Sequence, residues 1–323
     1  MMRFIKNIFL LILAALISVQ CYASRTQTSR KSEPKSAFRF YENALIAKFD
    51  GRWDRALRQI NRAIELNNRI SLFYVLKAQI FDSLHQVDSA IFAYQQALKV
   101  RPHAPDVLQK VGELYITDGD SQTGIAYLKK AFAFDETQTG ILLRIARLYI
   151  DLDSLDLAND VLIDYKIRTD MAQSPPEPAY YLLKGDMAFM QGNWRQAAEF
   201  YDACPCKRCF SEKQVKRAFD VFLKEKNVKR YFKLLTGLNE QKLGEATLFY
   251  YRGIYYRTIG NLNEAQHQFE LALKHGNKNP ELFWDLARIY FRKNETKKIK
   301  ALYKQLQNIV PHSVYLQKMK ALF

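Results

Sequence analysis

Small and apolar residues recur along this chain at a spacing of 34. Ala56, Ala90, Gly124 and Ala158 form one such series, and Ala63, Ala97, Ala131 and Tyr165 form another. A period of this length marks stacked repeats, each too small to bury its own apolar face and each doing so against its neighbours. Written out, the first repeat covers residues 37–70, the second 71–104 and the third 105–138, and the fourth starts at Thr139. The eighth place holds Ala44, Ala78, Gly112 and Ala146, and the twenty-fourth holds Ile60, Tyr94, Leu128 and Leu162. Small residues at the eighth and twentieth places let two antiparallel helices approach closely, with a bulky residue at the twenty-fourth filling the space beside them. Each unit is therefore predicted to be a helical hairpin, and the chain an all-α solenoid.

After the fourth repeat the register slips, because Ala146 and Gly185 are 39 residues apart. The extra residues fall around Ser174-Pro175-Pro176-Glu177-Pro178. Prolines cannot continue a helix, and they push their neighbours to extended geometry. The pattern thus predicts two arms, residues 37–171 and 178–323, joined by a linker at 172–177. The second arm reads as repeats five to eight over 178–311, with a degenerate sixth at 211–238 that keeps few of the recurring residues. Residues 312–323 read as a helix capping the last apolar face.

The best-formed repeat carries Tyr74, Ala78, Phe81, Ala90, Tyr94, Ala97 and Pro102, and a later one carries Phe249, Gly253, Tyr256, Gly260, Ala265, Phe269 and Ala272. This tandem pattern resembles the tetratricopeptide repeat family. The resemblance implies a right-handed superhelix of helix-turn-helix repeats and a partner held on the concave face. In that family the face is lined by the second, fifth, ninth, twelfth and thirteenth residues of each first helix. In the first repeat these include Phe38, Tyr41, Leu45 and Phe49, an apolar set. In the last they include Trp284, Arg288, Phe291 and Arg292, preceded one repeat earlier by Tyr250 and Arg257. The Lys and Asn with which chaperone-binding members clamp a terminal carboxylate are replaced here by Tyr41 and Leu45, Val75 and Gln79, or Tyr250 and Ile254.

Charge sharpens the choice between these faces. Lys and Arg exceed Asp and Glu by 49 to 33. The excess is concentrated after residue 171, where the net charge is +12 against +2 over residues 24–171. Such an excess says nothing about fold but favours anionic partners. With only 12 Gly and 9 Pro the composition is helix-rich.

Residues 1–23 read as a secretory leader, with Arg3 and Lys6 before an apolar run from Ile8 to Val19 and small residues ahead of Ser24. That run is shorter than the ~20 residues a spanning helix needs. Cleavage after Ala23 is expected, with lipidation of Cys21 and an uncleaved anchor as the rival outcomes. Residues 24–36, polar and aperiodic, read as a flexible tether.

Catalytic signatures are lacking. The five histidines are scattered, no nucleophile elbow or phosphate-binding glycine loop occurs, and neither a cofactor nor a metal is expected. Cys204, Cys206 and Cys209 form the one reactive cluster. An ordinary structural zinc site needs four ligands, and no histidine is near to complete the set. In an oxidising compartment a local disulfide is expected, pairing Cys209 with either Cys206 or Cys204, while packed or free thiols, and then metal or redox chemistry, stand as the alternatives. The sequence thus points to a non-enzymatic exported scaffold for a protein or peptide. Docking to an anionic envelope surface is the second reading, and nucleic acid is not expected.

Overall fold

A computed structural model describes residues 34–238 and 243–323 of the chain. The expected leader, with Cys21, and residues 24–33 of the tether lie outside the described residues. The last residues assigned to the tether are instead helical, since the first helix begins at Pro34. Proline is well tolerated at a first helical position, where its missing N–H would have no partner anyway.

The described residues form seventeen α-helices in two compact units, one ending at Gln138 and one beginning at Thr139. The first unit contains α1 (Pro34–Phe49), α2 (Trp53–Leu66), α3 (Ser71–Ser83), α4 (Val87–Val100), α5 (Pro105–Thr117) and α6 (Ser121–Phe134), packed as three successive hairpins. In the second unit α7 (Gly140–Asp151) pairs with α8 (Leu155–Met171), and α9 (Pro178–Met190) with α10 (Trp194–Ala203). These are followed by α11 (Glu212–Lys224), α12 (Val228–Gly237), α13 (Glu245–Thr258), α14 (Leu262–Lys274), α15 (Pro280–Arg292) and α16 (Thr296–Ile309). A short α17 (Val314–Lys320) closes the unit by burying Leu316 and Met319. The proline segment before Pro178 lies within this unit. There the Glu177 amide donates to the Tyr165 hydroxyl at 2.9 Å, and the Tyr165 and Tyr180 rings stack.

The recurring small residues do what their size predicts. Ala56, Ala90, Gly124 and Ala158 are all buried, as are Ala44, Ala78, Gly112 and Ala146. A Cβ on Gly112 would lie 2.9 Å from the Gly124 carbonyl oxygen, so α5 and α6 touch backbone to backbone. In the second unit the eighth and twenty-fourth places fit each other. A Cβ on Gly185 would meet the Tyr201 ring at 2.6 Å, and one on Gly253 would overlap the Phe269 ring. The degenerate repeat, counted 34 residues on from Gly185 and Ala197, has large residues at both small places, Phe219 at the eighth and Tyr231 at the twentieth, their ring centroids 4.5 Å apart. Helices α11 and α12 meet through two tilted rings where their neighbours set one ring against a glycine.

A second periodic feature sits in the turn inside each hairpin. Gly51, His85, Gly119 and Asp153 have positive φ, and so do Gly192, Lys226, Gly260 and Asn294. Each set is spaced by 34, and the spacing runs unbroken through the degenerate repeat. This left-handed residue ends the first helix of the pair, a position glycine takes without steric cost and other residues take at about 1 kcal/mol or more. Asn193, Asn227 and Asn261 follow as caps, each side chain accepting a backbone N–H from the first turn of the second helix. His85→Gly and Lys226→Gly are therefore each expected to stabilise the protein by up to about 1 kcal/mol. Denaturant midpoints that stay unchanged or fall would show that the turns carry no such cost.

Candidate functional site

Helices α13 and α15 belong to consecutive repeats and run side by side, so equivalent positions on them are neighbours. That brings three of the expected arginines to one place. Arg257, Arg288 and Arg292, with Asp285, Leu262 and Ile289, line a cleft of about 320 Å³ at the C-terminal ends of the two helices. Basic side chains at a helix C-terminus also suit the partial negative charge of the carbonyls there.

The charges in the cleft are unequally used. Arg257 forms an ion pair with Asp285, a carboxylate only 6% exposed. Burial raises the Asp285 carboxyl above its usual range, and the charges of Arg257 and Arg288 offset this in part. Arg288 and Arg292 are exposed and make no ion pair among the described residues. The Arg288 guanidinium lies 5.9 Å from the centroid of the Trp284 ring, and that ring is itself packed against the core. The cleft therefore presents two available guanidinium groups, each able to give parallel hydrogen bonds to a carboxylate.

The other expected residues fall elsewhere. Tyr250 is buried, and its hydroxyl donates to Glu281 at 3.2 Å, so it joins helices rather than facing a ligand. Burial, with the Glu281 charge beside it, pushes its ionisation well above the ordinary tyrosine range. Phe291 is exposed but does not line the cleft. In the first repeat Phe38, Tyr41 and Leu45 pack into the core of their unit, with the Phe38 and Tyr41 rings 5.3 Å and 5.5 Å from that of Phe73. Burial there pushes the Tyr41 hydroxyl up to about 12. Of that apolar set Phe49 alone is open, at 77% exposure.

In the cysteine cluster Cys206 and Cys209 are joined by a disulfide, and Cys204 is a buried thiol whose pKa burial raises. Among the described residues no group of three or more His, Cys, Asp or Glu is placed to hold a metal ion. The disulfide brackets Lys207. Its ammonium donates to the carbonyl oxygens of Tyr201, Asp202 and Cys204 at 2.8–3.0 Å, closing the C-terminus of α10. Asp285 and Lys207 were not singled out from the sequence. The signal for Asp285 is a lone carboxylate inside the apolar run Leu282-Phe283-Trp284-Asp285-Leu286-Ala287.

Residues 72–103, which span α3 and α4, match the tetratricopeptide repeat family model. The second hairpin is a tetratricopeptide repeat. The solenoid is similar to a crystal structure of a tetratricopeptide repeat protein from Parabacteroides merdae. The TM-score is 0.52 at 15% identity, covering 78% of this chain and 98% of that one. In sequence it is similar to the BBSome complex member BBS4 of Bos taurus, 28% identical over 125 residues, and to tetratricopeptide repeat protein 21A of Mus musculus, 22% identical over 213 residues. Those matches take in 38% and 65% of this chain. The chain spans only 23% and 15% of the two relatives' lengths.

Proposed function

We propose that this chain is a non-enzymatic tetratricopeptide scaffold of the bacterial cell envelope that binds an acidic segment of a protein partner in the α13–α15 cleft. The convergence of Arg257, Arg288 and Arg292 on one cleft carries the reading. One arginine is neutralised by Asp285 and two are available, so the cleft matches a peptide with at least one carboxylate and an apolar neighbour to lie on Leu262. An envelope location rests on the leader pattern of residues 1–23, with export to the periplasm or beyond and a lipid anchor at Cys21 as the rival. The disulfide between Cys206 and Cys209 suits an oxidising compartment.

Binding of acidic and neutral peptide libraries to the purified protein tests the cleft. Arg288→Ala and Arg292→Ala are each expected to weaken acidic peptides by at least about tenfold, or roughly 1.4 kcal/mol. Together they should cost about a hundredfold, with the far-UV circular dichroism unchanged. Equal binding of acidic and neutral peptides, or full affinity in the double variant, would sink the proposal. Trp284→Ala is the less clean probe, because the ring is part of the core.

A further inference from the structure

The last repeat and its cap carry a second cationic surface, distinct from the arginine cleft. Residues 296–323 contain six lysines and no Asp or Glu. Lys298 pairs with Glu295. The other five, Lys297, Lys300, Lys304, Lys318 and Lys320, are exposed and have no carboxylate partner among the described residues. On α16 the first three fall within about 60° of one another at 3.6 residues per turn. Ile299, Leu302 and Leu306, which α16 buries, lie on the opposite side. An exposed aromatic ring borders this single-sign face. Phe323 is 43% exposed with the Lys300 ammonium 5.5 Å from its ring.

We propose that this lysine face docks on an anionic phospholipid surface, with Phe323 reaching the interfacial region. Lysine ammoniums are compact point charges without the fork that selects a single carboxylate or phosphate, so a row of them fits a spread of negative headgroups rather than one site. The exposed Phe323 ring beside the row distinguishes a lipid surface from a soluble polyanion, which offers charge but no apolar layer.

Flotation with vesicles tests the surface, using the full-length protein with phosphatidylcholine alone and with added phosphatidylglycerol. The protein should partition to the anionic vesicles, and Lys297→Gln/Lys300→Gln/Lys304→Gln should weaken that partitioning by at least about tenfold. Arg288→Gln/Arg292→Gln should leave it unchanged, which separates this surface from the peptide cleft. Phe323→Ser should weaken vesicle binding and leave binding to a DNA duplex unaltered. Equal partitioning to both vesicle types overturns the proposal, as does a folded triple-lysine variant that still binds fully. Preference for duplex DNA over anionic vesicles would reassign the face to a soluble polyanion. If circular dichroism shows the triple variant to be misfolded, Lys318→Gln/Lys320→Gln makes the same test.

Discussion

Replacing Asp186 by alanine should destabilise the second compact unit by about 3–5 kcal/mol, the cost of removing one partner from a buried charge network. Asp186 is 1% exposed on α9 and accepts four hydrogen bonds. Tyr201 on α10 and Arg217 on α11 donate to one carboxylate oxygen at 2.8 and 2.9 Å, and Gln214 on α11 and Arg147 on α7 donate to the other at 2.7 and 3.4 Å. One carboxylate therefore ties together four helices from three consecutive repeats. Without it the Tyr201 hydroxyl and the Gln214 amide are left buried and unsatisfied, and Arg217 loses its countercharge. Asp186→Asn, which keeps an acceptor, should lose less. Denaturant unfolding followed at Trp194 and Trp284, both in this unit, measures the effect. A shift under 1 kcal/mol would mean that water replaces the network at little cost.

Gly253→Val should cost about 3 kcal/mol or more through overpacking. Even the first carbon of a side chain would overlap the Phe269 ring, which is fully buried in the core. Gly253→Ala is the informative contrast, because alanine regains about 1 kcal/mol of helix propensity over glycine and offsets part of the clash. Adding Phe269→Leu to Gly253→Val should recover some of the loss. If thermal unfolding shows the two substitutions to be additive, the size match between the eighth and twenty-fourth places is not what positions α13 against α14.

The repeat architecture was legible because it is written in size. Alanine and glycine at fixed intervals record how close two backbones come, and that record survives even where most other positions have changed. The degenerate repeat was harder to read because Phe219 and Tyr231 keep the hairpin with large residues at both places where the other repeats are small. Its register is nonetheless recorded by Gly192 and Gly260, two periods apart, and that signal lies in turns rather than in packed faces. The candidate site was legible only in part. Helical spacing puts Arg257, Arg288 and Arg292 at neighbouring positions, and all three line one cleft, but spacing alone does not separate a tyrosine that faces a ligand from one bonded to the next helix. Tyr250 and Tyr41 are of the second kind. Asp285 and Asp186 escaped notice because each stands alone in sequence, and a buried carboxylate declares itself only through partners from other helices.

The bracket around Lys207 has a thermodynamic consequence. The Cys206–Cys209 ring encloses four residues. On a chain-entropy estimate so small a ring contributes about 2 kcal/mol, against about 3 kcal/mol for one of fifteen residues. The bond therefore adds little to the stability of the unit as a whole. Its leverage is local, since it restricts the chain on both sides of a lysine whose ammonium must stay aimed at three carbonyl oxygens. Thiol reduction would act on the last turn of α10 and leave the helical stack standing, so the oxidation state of two cysteines would govern the order of one helix end.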